Sequence, residues 1–125
     1  MKCHVLIFGT FDGFDKGHQL MVSEAAKKGS ELIVAIARDE HVRTLKKKEP
    51  RYHEQQRLNR VMQDTHVFNA ALCDEELGTY HILAKIRPDL IILGFDQNEL
   101  KADLMQWMDK HNVHIPIETL DYFPE

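Results

Sequence analysis

Between Glu31 and Ala37 the chain runs Leu32-Ile33-Val34-Ala35-Ile36 without a polar interruption. A strand with one face in water alternates apolar and polar residues, so an unbroken run marks a strand covered on both faces. Strands of that kind belong to parallel sheets with a helix layer on each side. Val5-Leu6-Ile7-Phe8 and Leu90-Ile91-Ile92-Leu93 have the same character. Three such strands in one short chain leave little room for any architecture other than α/β.

The stretches between them fit that expectation. Apolar residues return at helical spacing from Leu20 to Ala26, and Lys28-Gly29 gives the usual glycine stop. Leu58, Val61 and Met62 form one stripe of a helix expected from His53 to about Asp64. Val67 to Cys73 reads as a strand, followed by an acidic turn with Gly78 and a helix from about Thr79 to Ile86, which Pro88 ends. Asn98 caps a helix reaching about His111, with Leu100, Leu104, Trp107 and Met108 on one side, so Trp107 is expected in the core. His114 to Leu120 is the last strand, and Pro116 puts it at an edge. Strand and helix alternate throughout, which predicts one doubly wound, Rossmann-like domain over residues 1–125. Right-handed crossovers from a central first strand give a five-stranded parallel sheet in the order 3-2-1-4-5. That order sets the turns after strands one and four side by side.

Both turns have the composition of a ligand site. The first, Gly9-Thr10-Phe11-Asp12-Gly13-Phe14-Asp15-Lys16-Gly17-His18, runs from a strand into a helix. A helix N-terminus offers unpaired N–H groups and a positive dipole end, and His18 in the first turn can add a hydrogen bond to a phosphoryl oxygen. The second turn, Gly94-Phe95-Asp96-Gln97, walls the same crevice. Arg38-Asp39-Glu40 leaves strand two at the end where open α/β sheets bind ligands. Lys46-Lys47-Lys48, with Arg43 and Arg51, is the one dense cationic stretch, on a segment closed by Pro50 that reads as a mobile loop. A lysine there can close over a polyphosphate and neutralise charge on a leaving pyrophosphate.

Composition narrows the class. A net charge of −4 argues against a general nucleic-acid binder, the basic residues being local to Arg38–Arg60. No stretch approaches the roughly 18 apolar residues of a membrane span, and the N-terminus lacks a signal-peptide pattern, so a cytoplasmic protein is expected. Cys3 and Cys73 sit in no metal or redox spacing and read as reduced structural thiols.

The GTFD turn followed by Lys16-Gly17-His18 resembles the signature of cytidylyltransferase-like nucleotidyltransferases, a GTFD turn leading into H-x-G-H. The likeness continues through Ala37-Arg38-Asp39, Val42-Arg43, Leu45-Lys46, Glu49-Pro50, Glu54-Gln55-Gln56-Arg57-Leu58, Arg87-Pro88-Asp89 and Leu93-Gly94-Phe95-Asp96-Gln97. Together these look like the archaeal-type FAD synthases, which are FMN adenylyltransferases, and less closely like glycerol-3-phosphate cytidylyltransferases. The resemblance implies transfer of a nucleoside monophosphate from ATP or CTP to a phosphorylated acceptor such as FMN, with Mg2+ and release of pyrophosphate. It also allows a homodimer. His18, Lys46 and Arg57 are the implied catalytic residues. Gly9, Thr10, Phe11, Asp15, Gly17, His18, Gly94, Asp96 and Gln97 are the implied nucleotide contacts, and Asp12 or Asp15 the implied metal ligand.

Two departures stand out. Asp15 replaces the first histidine of H-x-G-H, putting a carboxylate beside the phosphates unless it recruits magnesium. The serine- and threonine-rich turn expected near the end of the family's chain has no counterpart after Thr119, where the sequence continues Tyr122-Phe123-Pro124-Glu125. Both leave open a nucleotide-binding module without turnover, and beyond it a scaffold that keeps only the fold.

Overall fold

The computed structural model describes residues 3–120; the chain end at Tyr122–Glu125 lies outside them. Ten elements follow in order, strand and helix alternating except at the consecutive α2 and α3: β1 (His4–Gly9), α1 (Lys16–Ala26), β2 (Glu31–Ile36), α2 (Asp39–Lys46), α3 (Glu54–Met62), β3 (Asn69–Leu72), α4 (Ile82–Ile86), β4 (Leu90–Leu93), α5 (Asn98–Lys110) and β5 (Ile117–Thr119). The strands form one five-stranded sheet, β3-β2-β1-β4-β5, and every neighbouring pair is parallel. The order is the expected one, and β5 is the edge that Pro116 indicated.

The unbroken apolar runs do divide between two faces, as strand geometry requires. Val5 and Ile7 of β1 join Val34, Ile36, Ile92, Met21, Val22, Ala25 and Val61 under α1 and α3. Leu6 and Phe8 join Ile33, Ala35, Ile91, Leu93, Ile82, Leu83, Leu104 and Met108 under α4 and α5. Each apolar residue of the central runs in β1, β2 and β4 therefore has a helix layer on its side, whereas the edge strands β3 and β5 are only partly covered. A fully buried aliphatic side chain contributes about 1.5–3 kcal/mol, and a central strand buried on both faces collects this at every position.

Several boundaries differ. The strand expected over Val67–Cys73 is the shorter β3, and that expected over His114–Leu120 is β5. The helix expected from Thr79 is reduced to α4, because the Asp74 carboxylate takes the Thr79 hydroxyl and the backbone N–H groups of His81 and Ile82 into a turn. Trp107 is only partly buried, between the ring of Tyr80 and a stacked His111. The largest correction is α2, where a loop was expected. Its only buried apolar residue is Val42, and Leu45 is exposed, so the apolar stripe is too thin to register as a period. Its start is fixed instead by a tertiary cap: the Glu54 carboxylate accepts the Asp39 N–H at 2.7 Å.

Candidate active site

The crevice exists because β1 and β4 are neighbours, and a single side chain joins the turns that follow them. Gln97 Nε2 donates to the Phe8 carbonyl at 2.9 Å, while Gln97 Oε1 accepts the Gly94 N–H at 2.8 Å. Gly94 is buried, and a Cβ on it would meet Asp96 Oδ1 at 3.1 Å and approach Met21 of α1 at 4.0 Å. The Gly94–Gln97 turn thus lies beside the end of β1, with Gly94 near Met21 of α1, Asp96 exposed and Gln97 tying the turn to Phe8.

The first turn is wound tightly. Phe11, Gly13 and Phe14 have φ of 52°, 92° and 40°, a region costing a residue with a side chain on the order of 1–3 kcal/mol. Burial of both rings offsets that cost: Phe11 and Phe14 are each 2% exposed and meet edge to face. A Cβ on Gly9 would lie 2.6 Å from the Phe11 ring. Gly9 and Phe11, expected to lie along a nucleotide, therefore give their side-chain surfaces to each other, leaving only backbone to face a ligand.

Asp15 is the N-cap of α1, its Oδ1 accepting the His18 N–H at 3.1 Å. A carboxylate at a helix N-terminus is favourable for the helix, but it occupies one of the donors a phosphate would use. Gly17 and Lys16 supply the other N–H groups of that first turn. The His18 ring lies edge-on to Phe11 and is stacked over Phe14. Its Nδ1 is buried without a hydrogen bond, 3.4 Å from Asp15 Oδ1, while a third of the side chain stays exposed. Nε2 is then the nitrogen that can reach a ligand. Burial holds the His18 pKa below its ordinary value; Asp15 opposes this, Lys46 reinforces it, Asp12 opposes and Arg51 reinforces.

The cations divide into two kinds. Lys46 is exposed at the last residue of α2 and close enough for its charge to act on His18. It stands on a helix end, not on a mobile loop, because Lys47 turns into the left-handed region and stops the helix there. Arg57 is 1% exposed and cannot approach a phosphate from where it sits. Its Nε donates to the Tyr52 carbonyl, Nη1 to the carbonyls of Thr10 and Ala37, and Nη2 to Asp39 Oδ1 at 2.7 Å. The expectation that Arg57 faces the substrate is corrected: it ties the ends of β1 and β2 to α3. Its partner Asp39 feels burial raising its pKa, but the Arg57 hydrogen bond and charge, a backbone contact with Glu54 and nearby His53 hold it below the carboxylate norm. Asp39 was visible as part of the polar exit from strand two, but a buried ion pair has no local spacing by which to find its second member.

Asp12 is likewise structural. Its two carboxylate oxygens accept the backbone N–H groups of Arg51 and Tyr52 at 2.8 and 3.0 Å, docking the α2–α3 loop onto the first turn. With Asp12 so committed and Asp15 capping α1, the expected metal ligands do not fit that role. Among the described residues no group of three or more His, Cys, Asp or Glu converges as a cation site. A hollow of about 580 Å³ lies elsewhere, lined by Met105, Met108, Val113 and Ile115, with Asp109 and His114 also on its wall. No helix among the described residues is long and apolar enough to cross a membrane.

Comparison with known proteins agrees with the fold. Residues 6–116 match the Cytidylyltransferase-like family. The chain is 35% identical to an FAD synthase from Methanocella arvoryzae, over 99% of this chain and 89% of that one. It is 36% identical to an FAD synthase from Archaeoglobus fulgidus, over 87% of this chain and 77% of the other. A crystal structure of a lipopolysaccharide core biosynthesis protein from Thermoplasma volcanium superposes with a TM-score of 0.89 at 29% identity, covering 99% of this chain and 100% of that one.

Proposed function

Because the chain belongs to the cytidylyltransferase-like family and is a nucleotidyltransferase, we propose that it is an FMN adenylyltransferase, joining ATP and FMN to give FAD and pyrophosphate. The observation that supports this reading is that the turn leading to His18 and the α1 N-terminus and the Gly94–Gln97 turn leave the same end of the neighbouring strands β1 and β4, joined there by the Gln97–Phe8 hydrogen bond. An oxygen of the FMN phosphate attacks the α-phosphorus of ATP; the bond from that phosphorus to the bridging oxygen of the β-phosphate breaks, and pyrophosphate leaves with the negative charge. The acceptor is already an anion near neutral pH, so the protein needs only to align the groups and stabilise the developing charge. His18 donates from Nε2 to a phosphoryl oxygen, the N–H groups of Lys16 and Gly17 hold the phosphate chain, and Lys46 balances the leaving group. Thr10, Asp96 and Gln97 line the nucleoside. A divalent cation, with Mg2+ expected, would be held by the substrate's own phosphates, which such ions commonly share with few protein ligands.

The test is turnover of ATP with FMN in the presence of Mg2+, read as FAD and pyrophosphate, beside a parallel arm with CTP and glycerol 3-phosphate. FAD in the first arm alone supports the proposal. Product only in the second reassigns base and acceptor. Nucleotide binding without product in either arm would favour the non-catalytic reading that the Asp15 cap on α1 invites.

A further inference from the structure

Asp15 puts a carboxylate at the phosphate end of the crevice, and Asp12 is a second beside the turn. The cations around them are Lys46, whose charge acts on His18, Arg60, whose guanidinium lies 5.0 Å over the Phe14 ring, and Arg51. Of these, Arg51 is hydrogen-bonded to the turn itself. Its Nη2 donates to the Asp12 carbonyl at 2.8 Å and its Nε stands 3.8 Å from Asp12 Oδ2. The same Nη2 lies 2.5 Å from the position a Cβ on Gly13 would take, so the guanidinium rests against the glycine turn, whose φ of 92° is what favours glycine at that position. The side chain is nonetheless 69% exposed. A guanidinium has five N–H donors, and one is bonded here, so most of the fork faces solvent over the turn. The segment beneath it is fixed independently, since the Arg51 and Tyr52 N–H groups bind Asp12 whatever the side chain is.

We propose that Arg51 is a triphosphate-binding residue, its free donors contacting phosphoryl oxygens and supplying the cationic contact that Asp15 withholds from the first turn. This rests on the substrate reading above. The planar fork suits two oxygens of one phosphate or of neighbouring ones. It also gives Asp12 a second part: the carboxylate anchors the loop while the carbonyl aims the guanidinium.

The experiment measures dissociation constants by calorimetry for AMP, ADP, ATP and inorganic tripolyphosphate, and for the matching cytidine nucleotides, with wild type, Arg51→Ala, Arg51→Lys and Arg51→Ala/Asp15→Asn. Wild type should bind more tightly with each added phosphate. Arg51→Ala should weaken the triphosphate and tripolyphosphate about tenfold or more while changing the monophosphate by less than about twofold, because the charge-assisted hydrogen bonds lost are to the outer phosphates, which the monophosphate lacks. Arg51→Lys should recover part of that loss, and Asp15→Asn should recover part of it without any cation at position 51. A flattened affinity ladder is a readout that a packing role would not give. Arg51→Ala with an unchanged ladder, or with equal weakening of mono- and triphosphate, overturns the inference alone. Wild type that binds none of these probes overturns the substrate reading together with it.

Discussion

On the β1 side of the crevice three residues have left-handed backbone, two buried rings pack against the turn, and Asp12, Arg51 and Arg57 hydrogen-bond it to the α2–α3 loop and the end of β2. On the β4 side the turn is held by the amide of Gln97, with Phe95 half exposed and Asp96 exposed. The first wall is over-determined and the second lightly held. On the proposed function, the phosphate chemistry meets the preformed wall, which rewards fixed geometry, and the nucleoside meets the wall with fewer constraints.

The sharpest way to break the contrast is at Arg57. Arg57→Ala leaves Asp39 buried with its main cation gone and unpairs the carbonyls of Thr10, Ala37 and Tyr52. It should destabilise the fold by about 3–5 kcal/mol, measured by urea denaturation, and Arg57→Lys should recover only part because one ammonium cannot serve four acceptors on three segments. His18→Ala should leave the fold intact and lower kcat/KM by about 10²–10³, as loss of a transition-state donor does; a loss in KM alone would make His18 a binding group only. Gln97→Ala, on the lighter wall, should cost about 1 kcal/mol of stability, and a cost matching that of Arg57→Ala would abolish the distinction between the walls.

The smallest effect is in pH. His18 has its folded pKa below the usual 6.5, so the unfolded chain binds more protons in the interval beneath 6.5. Its contribution is fully present above that pH and is lost as pH falls toward the folded value. Asp39, also lowered, acts with the same sign in the interval below 3.8. Thermal melts from pH 8 to 5 should therefore show declining stability, and His18→Ala should flatten the decline. Phosphate binding favours imidazolium and should draw a proton into the complex, seen as a buffer-dependent heat in calorimetry.

The sheet order and the meeting of the two turns were legible because unbroken apolar runs and glycine exits are local signals. The His18 position was legible for the same reason. What escaped were arrangements made by residues distant in sequence. Nothing near Arg57 announces that Asp39, eighteen positions earlier, will claim it, and an arginine in a basic, helical stretch reads as a surface charge until its burial is known. In the sequence Arg51 is one of several neighbouring cations, and its contact with Asp12 spans 39 positions. The helix α2 was missed because its cap comes from Glu54 and its own face buries almost no hydrocarbon.

One detail of the first turn bears on how this chain can change. The Phe11 ring fills the space above Gly9 that any other residue's Cβ would need. Neither position can drift alone: a larger residue at 9 collides with the ring, and a smaller one at 11 opens a void of the ring's volume, a change of about 3–5 kcal/mol. The pair is a two-site lock, and single-step mutational paths through either half should be closed even to substitutions that would be harmless together.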